Sequence, residues 1–357
     1  MGSGQNLRQA TGPEFGHGNS AKGTGSGRWS VLVSRGRKIA LRGLDSHHAM
    51  QWVVGMALAA TTLAAQSTRV AISSDPPPDL RPAASMTEIA VPSHGEQLFG
   101  VFYEAAGAEN HPTVVLLHGF PGYEQNLDLA QALRRAGWNV LALHYRGSWG
   151  VGGNFSLAHS IEDADAMVAF VLSPQAAKQY RIDRNRIVVI GHSMGAYMAA
   201  SAMAHNPAVL AAVMIGTWDI TDSVRGKVGL SRDEMVERVE NRGGTEPSDY
   251  LPLHGTNPQM LAAEIVDHRE AWDLDGLAAK IAPRPVLLLT ADDGSTPGSI
   301  RLEQALETAG DTRVERMHAA TDHSWSGRRI ELETIVLNWL GQFEGKQAQS
   351  SAAYSRE

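Results

Sequence analysis

The chain has 357 residues, a net charge of −7, 43% apolar residues and 19% charged ones. That length and apolar share allow one large α/β domain with an insertion, and the lack of a broad basic excess argues against nucleic acid as a partner. There is no cysteine, which excludes disulfides, thiolate metal sites and a cysteine nucleophile, and the 14 histidines are scattered without HExxH or other close zinc spacing.

Residues 1–49 begin with a Gly-, Ser-, Asn- and Gln-rich tract of little apolar periodicity and read as a disordered extension. Met50 is an alternative start. Arg35, Arg37, Lys38 and Arg42 precede the apolar run WVVGMALAATTLAA at 52–65. That run is too short to span a bilayer, so no stable membrane insertion of the mature protein is expected. Behind positive charge and ending in small residues, 50–66 reads as a secretory signal segment. The expected location is therefore periplasmic or secreted. The alternative is a cytoplasmic protein with a helix at the domain edge. The Pro-rich stretch 67–86 reads as a linker.

From 87 onward short apolar runs alternate with helix-like segments. Residues 87–91 and 98–103 are predicted as opening strands. TVVLLH at 113–118 is a strand buried on both faces. A helix over 127–136 and the strand NVLALH at 139–144 follow. A helix is predicted over 161–172, with Glu162, Asp163 and Asp165 in its first turns, where the dipole favours acid. The strand RIVVI at 186–190 leads into a small-residue helix over 194–205, and 211–215 is another strand. The pattern resumes with PVLLLT at 285–290, a helix over 300–309, an extended segment at 312–317 and a final helix over 330–343. Alternation of this kind predicts a mostly parallel sheet covered on both faces. The core is expected over 87–216 and 276–345, with a disordered tail at 346–357. The polar gap 217–275 is too long for a bare loop. With helix-like pieces at 232–239 and 258–268, it reads as a small helical cap.

The sharpest signal is Gly191-His192-Ser193-Met194-Gly195, directly after one predicted strand and opening the next helix. A tight strand-to-helix turn exposes a serine in a strained position, and the helix N-terminus points free N–H groups at developing negative charge. Otherwise Ser193 would be a helix N-cap. A serine nucleophile needs a base, and the chain order on such a scaffold is Ser, acid, His. His323, in Thr-Asp-His-Ser-Trp before the final helix, is the candidate, with His318 as competitor. The acid belongs after PVLLLT, where Asp292 and Asp293 are adjacent. Asp293 is favoured, while Asp292 and Asp219 remain alternatives.

Two N–H donors are needed for an oxyanion, each worth roughly 2.7–4 kcal/mol in the transition state. Met194 and Phe120 are the candidates, the latter in His118-Gly119-Phe120-Pro121-Gly122, with His118 bracing that loop. Tyr123, Tyr145, Trp149, Trp218 and Trp325, with Phe120, fall on loops at the expected active edge and would suit an apolar or aromatic substrate group. Singly, each could instead pack cap against core. Arg146 would meet a substrate carboxylate or pair with a local acid.

HGFPG, GHSMG, the Ala-Asp-Asp turn and DHSW together resemble the α/β-hydrolase superfamily, and within it bacterial serine esterases and prolyl-oligopeptidase-like hydrolases. His144-Tyr145-Arg146-Gly147-Ser148-Trp149 with Gly152-Gly153 resembles that subgroup as well. The likeness covers about 87–343 and implies Ser193, Asp293 and His323 as a triad with Phe120 and Met194 as the oxyanion pair. There is no HGGG loop, and the chain before 87 is too short for a propeller. Serine at 193 disfavours dehalogenase and epoxide hydrolase chemistry. The expectation is a carboxylesterase acting on small to medium acyl esters, a small-molecule substrate, with no cofactor and no metal. A peptidase or amidase, or an acyltransferase or lyase using the same residues, is the alternative. Oligomeric state is not legible.

Overall fold

The computed structural model describes Thr68, residues 71–241 and residues 246–343. The extension 1–49, the signal segment 50–66 and the tail 346–357 lie outside the described residues. The expected linker 67–86 holds only in part: residues 75–84 contain neither helix nor strand, but residues 71–73 are helical, Ala71 is buried in the core and its carbonyl accepts from Arg135 Nε, and the first strand already begins at Ser85.

A hairpin opens the sheet. Strands β1 (Ser85–Ser93) and β2 (Glu96–Glu104) pair antiparallel. His94 and Gly95 between them both take positive φ, 46° and 91°, the two-residue geometry that matches strand twist. β2 pairs antiparallel with β4 (Asn139–Leu143). From there every pairing is parallel, through β3 (His111–Leu117), β5 (Ile182–His192), β6 (Val209–Ile215), β7 (Val286–Ala291) and β8 (Val314–Ala319). The spatial order is β1-β2-β4-β3-β5-β6-β7-β8.

The continuous apolar runs follow from burial on both faces. Val115, Leu117 and Val189 join one core, while Val114, Leu116, Val188 and Ile190 join the other. The first core is covered by α2 (Leu157–Leu172), α4 (Met194–His205) and α9 (Thr296–Thr308). The second is covered by α1 (Leu127–Arg135) and α10 (Arg329–Leu340). Two short helices, α3 (Pro174–Gln179) and α8 (Ala278–Ile281), precede β5 and β7. Between β6 and β7 the chain forms α5 (Arg232–Glu240), α6 (Pro247–Tyr250) and α7 (Pro258–Asp267). A reciprocal Ser231–Glu234 capping box starts α5.

Two helices start four residues earlier than their periodicity suggests, and α9 does so at Thr296 rather than 300. α2 begins at Leu157 rather than 161, with Ser156 as N-cap accepting from His159 N at 3.0 Å. Glu162, Asp163 and Asp165 therefore lie beyond its first turn. Asp163 accepts from Arg146 Nε at 2.7 Å and Ser93 Oγ at 2.6 Å, and Asp165 accepts from His205 and Asn206. The acid at the helix N-terminus comes instead from α7. Glu264 Oε2 and Oε1 accept from Leu157 N and Ala158 N, each at 2.9 Å. One carboxylate thus satisfies two orphan N–H groups and pins α7 to α2. Glu264→Ala is expected to cost about 1–3 kcal/mol by stranding both donors. The midpoint and slope of urea unfolding check it, and an unchanged midpoint would remove this role.

Candidate active site

β5 ends at His192 and α4 begins at Met194, so one residue turns the chain. Ser193 does this with φ 57° and ψ −119°, a conformation that costs a non-glycine residue about 1–3 kcal/mol and persists only when its surroundings hold it. They do so from both sides. Ser193 N donates to Ile215 O at 2.8 Å, and Trp218 N donates to Ser193 O at 3.1 Å. The flanking glycines answer to space. A Cβ at Gly191 would land on the Gly195 carbonyl oxygen, and one at Gly195 on the carbonyl oxygen of Leu117.

His323 lies between β8 and α10. Its Nδ1 meets Asp293 Oδ2 at 2.5 Å, so that nitrogen carries the proton and Nε2 is left for other work. Asp293 follows β7, and its Oδ1 accepts from Ser295 N at 2.9 Å and Ser295 Oγ at 2.7 Å. Burial pushes this carboxyl upward, but the hydrogen bonds from His323 and Ser295 outweigh it and hold the group at about 2. The other two candidate acids are occupied elsewhere. Asp292 points to solvent and accepts from His318 Nε2 at 3.1 Å. Asp219 is buried and ion-paired to Arg225 and Arg301, each at 2.6 Å.

Ser193, His323 and Asp293 line one cavity of about 520 Å³. Gly216, at the end of β6, brings the groups close. A Cβ there would lie 3.1 Å from the His323 ring and 3.3 Å from Asp293 Oδ2. Gly119 approaches from β3, where a Cβ would lie 2.9 Å from Ser193 Cβ. Met194, as the first residue of α4, has an N–H without an intrahelical acceptor. The N–H of Phe120 has no acceptor among the described residues. His118 donates from Nδ1 to Gly119 O at 2.8 Å, and burial holds its imidazole down at about 3, so it is neutral.

The aromatic residues divide. Trp218 lines the cavity. Tyr145 and Trp325 do not, because both are fully buried. Tyr145 Oη donates to His118 O at 3.1 Å, and Trp325, at φ 58°, packs into the core beside α10. Tyr123 and Trp149 form an edge-to-face pair outside the cavity, where Tyr123 Oη donates to Ser248 O and Trp149 Nε1 to Pro121 O. Arg146 is buried and paired with Asp163 and Glu162, so it offers nothing to a ligand carboxylate. The sequence reading missed Tyr250 of α6 and Leu261 and Ile265 of α7, which complete the apolar wall with the Phe120 ring. The signal for α7 was present, since 261, 262, 265 and 266 form one buried helical face.

Among the described residues no cluster of three or more His, Cys, Asp or Glu side chains suits a metal ion, and no helix is long and apolar enough to cross a membrane.

The family described as "Alpha/beta hydrolase family" matches residues 114–332. No curated protein matches the chain. Solved structures of the same fold include an esterase of Pyrococcus furiosus, 17% identical over 76% of this chain and 98% of that one, with a TM-score of 0.52. An esterase of Pyrobaculum calidifontis is 19% identical over 82% and 93%, with a TM-score of 0.52. An acylaminoacyl peptidase of Pyrococcus horikoshii is 18% identical over 75% of this chain, with a TM-score of 0.53, and the match spans 43% of that longer protein. At these identities the likeness is one of fold.

Proposed function

Because this chain belongs to the alpha/beta hydrolase family, we propose that it is a serine carboxylesterase acting on small to medium acyl esters. The observation that carries the reading is one cavity lined by a strained Ser193 and by a His323 whose Nδ1 is held at 2.5 Å by Asp293. Ser193 Oγ attacks the ester carbonyl carbon while its proton passes to His323 Nε2. Asp293 stabilises the imidazolium. The oxyanion is held by the N–H groups of Met194 and Phe120. Collapse breaks the C–O bond to the alcohol, which leaves with the proton from His323. Water, deprotonated by His323, then attacks the acyl-enzyme and frees Ser193. The sequence of steps calls on no metal or organic cofactor.

The helices α5 to α7 would act as a cap. Phe120, Trp218, Tyr250, Leu261 and Ile265 supply an apolar wall, and a cavity of about 520 Å³ lies within the range of small-molecule sites. An acyl chain of a few carbons suits that wall. The test is a series of p-nitrophenyl esters from acetate to dodecanoate beside the matching p-nitroanilides. Turnover is expected to peak at intermediate ester length and to leave the anilides nearly untouched. Faster cleavage of the anilides would replace esterase by amidase or peptidase, and inertness toward the whole series would sink the reading.

A further inference from the structure

We propose that His192 is a positioning residue for His323: its Nε2–H holds the main-chain carbonyl of His323 and so ties the base to the serine turn. The inference rests on the reading of His323 as the base.

His192 is the last residue of β5, adjacent to Ser193. Its side chain is buried, and its Nε2 lies 3.0 Å from His323 O. A carbonyl oxygen can only accept, so Nε2 carries the proton and Nδ1 is bare. Nδ1 has no partner among the described residues. The one hydrogen bond that the ring makes among the described residues is therefore the one to His323 O. Burial and then the neighbouring His323 ring hold His192 down at about 4. The two rings lie 4.7 Å apart. Asp293, Arg329 and His118 are the other charged or titratable groups that face His192. A neutral ring adds no repulsion when His323 takes a proton.

His323 needs such a tie. Its side chain is 42% exposed, so packing alone does not fix it. The segment around it is anchored on either side. Asp292 N donates to Thr321 O at 3.1 Å, Arg329 Nη1 donates to Ser324 O at 2.8 Å, and Trp325 is buried in the core. Between these anchors, the bond from His192 is the one hydrogen bond of the His323 main chain among the described residues. Asp293 fixes the ring at Nδ1, and His192 fixes the backbone that carries it. With both points held, Nε2 keeps one direction. Because the second anchor extends from the residue next to Ser193, base and nucleophile move together.

The experiment compares His192→Phe, which keeps a ring without the donor, with His192→Gln, whose amide nitrogen reaches about as far as Nε2, and with His192→Asn, whose amide falls short. His192→Phe is expected to lower kcat about 10- to 100-fold, the scale of a misplaced reacting group, with little change in KM. The loss should persist across the whole pH range in which the wild type is fully active, because the fault is one of position. His192→Gln should recover most of kcat, and His192→Asn should not. If His192→Phe does not fold, the contrast between Gln and Asn decides. A Phe variant with wild-type kcat, or Gln and Asn variants that behave alike, would overturn the proposal. Labelling by a fluorophosphonate separates this from the parent reading. A wild-type protein that is neither labelled nor hydrolytic removes the serine mechanism and this inference with it.

Discussion

Ser193→Ala is expected to cut kcat/KM for esters by about 10⁴-fold or more, the scale seen when the nucleophile of such a unit is removed, while leaving the fold intact. The two halves of this expectation have different causes. Activity falls because no other hydroxyl on the described chain occupies the turn between β5 and α4. Stability holds because the turn is fixed by main-chain atoms, through Ile215 O and Trp218 N, which alanine keeps. Among the described residues the Ser193 hydroxyl makes no hydrogen bond to another side chain that alanine would remove. Steady-state kinetics and a thermal unfolding midpoint check both halves. An alanine variant that keeps even one hundredth of the rate would show that the nucleophile lies elsewhere.

Asp293→Asn should lower kcat by about 10⁴-fold, the size of a tautomer error in a base of this kind, whereas Asp292→Asn should change it little. The contrast comes from two neighbouring carboxylates that diverge, one onto His323 at 2.5 Å and the other onto His318 at the surface. An amide at 293 can present its NH₂ to His323 Nδ1, which favours the tautomer with the proton on Nε2 and blocks proton abstraction from Ser193. A pH signature accompanies this. Asp293 is held at about 2, below the value near 3.9 of an unfolded aspartate. A depressed carboxyl contributes stability that is fully present above its unfolded value and is lost as pH falls through the folded one. The gap in melting temperature between wild type and Asp293→Asn should therefore be steady above about pH 4 to 5 and narrow as pH drops toward 2. A gap that widens with acid would contradict the assignment.

Much of this arrangement was legible in the sequence because it is local. The apolar run RIVVI, the glycine-spaced serine and the small-residue helix follow one another without interruption, and the sheet announces itself by runs with no polar face. The start of α2 was half legible: its N-cap Ser156 is local, but the carboxylate on its first N–H groups arrives from Glu264, 107 residues later. The substrate wall was half legible for the same reason. Tyr145 and Trp325 share the sequence surroundings of loop aromatics, yet tertiary packing takes both into the interior. Tyr250 and the buried face of α7 reach the cavity only because the segment between β6 and β7 folds back over it. The choice between Asp292 and Asp293 turned on side-chain direction, which adjacent positions do not encode by spacing.

The two glycines around Ser193 carry a separate lesson about what a motif attests. Each is excluded from bearing a side chain by backbone oxygen atoms, Gly191 by Gly195 and Gly195 by Leu117. None of those atoms takes part in acyl transfer. The requirement belongs to the crossing of a helix over a strand end, and it would persist unchanged in a descendant of this protein that had lost its serine and its activity. Spacing of glycines thus testifies to architecture, and only the triplet of hydroxyl, imidazole and carboxylate testifies to chemistry. A screen for working relatives should therefore weigh positions 193, 293 and 323 and treat 191 and 195 as markers of the turn alone.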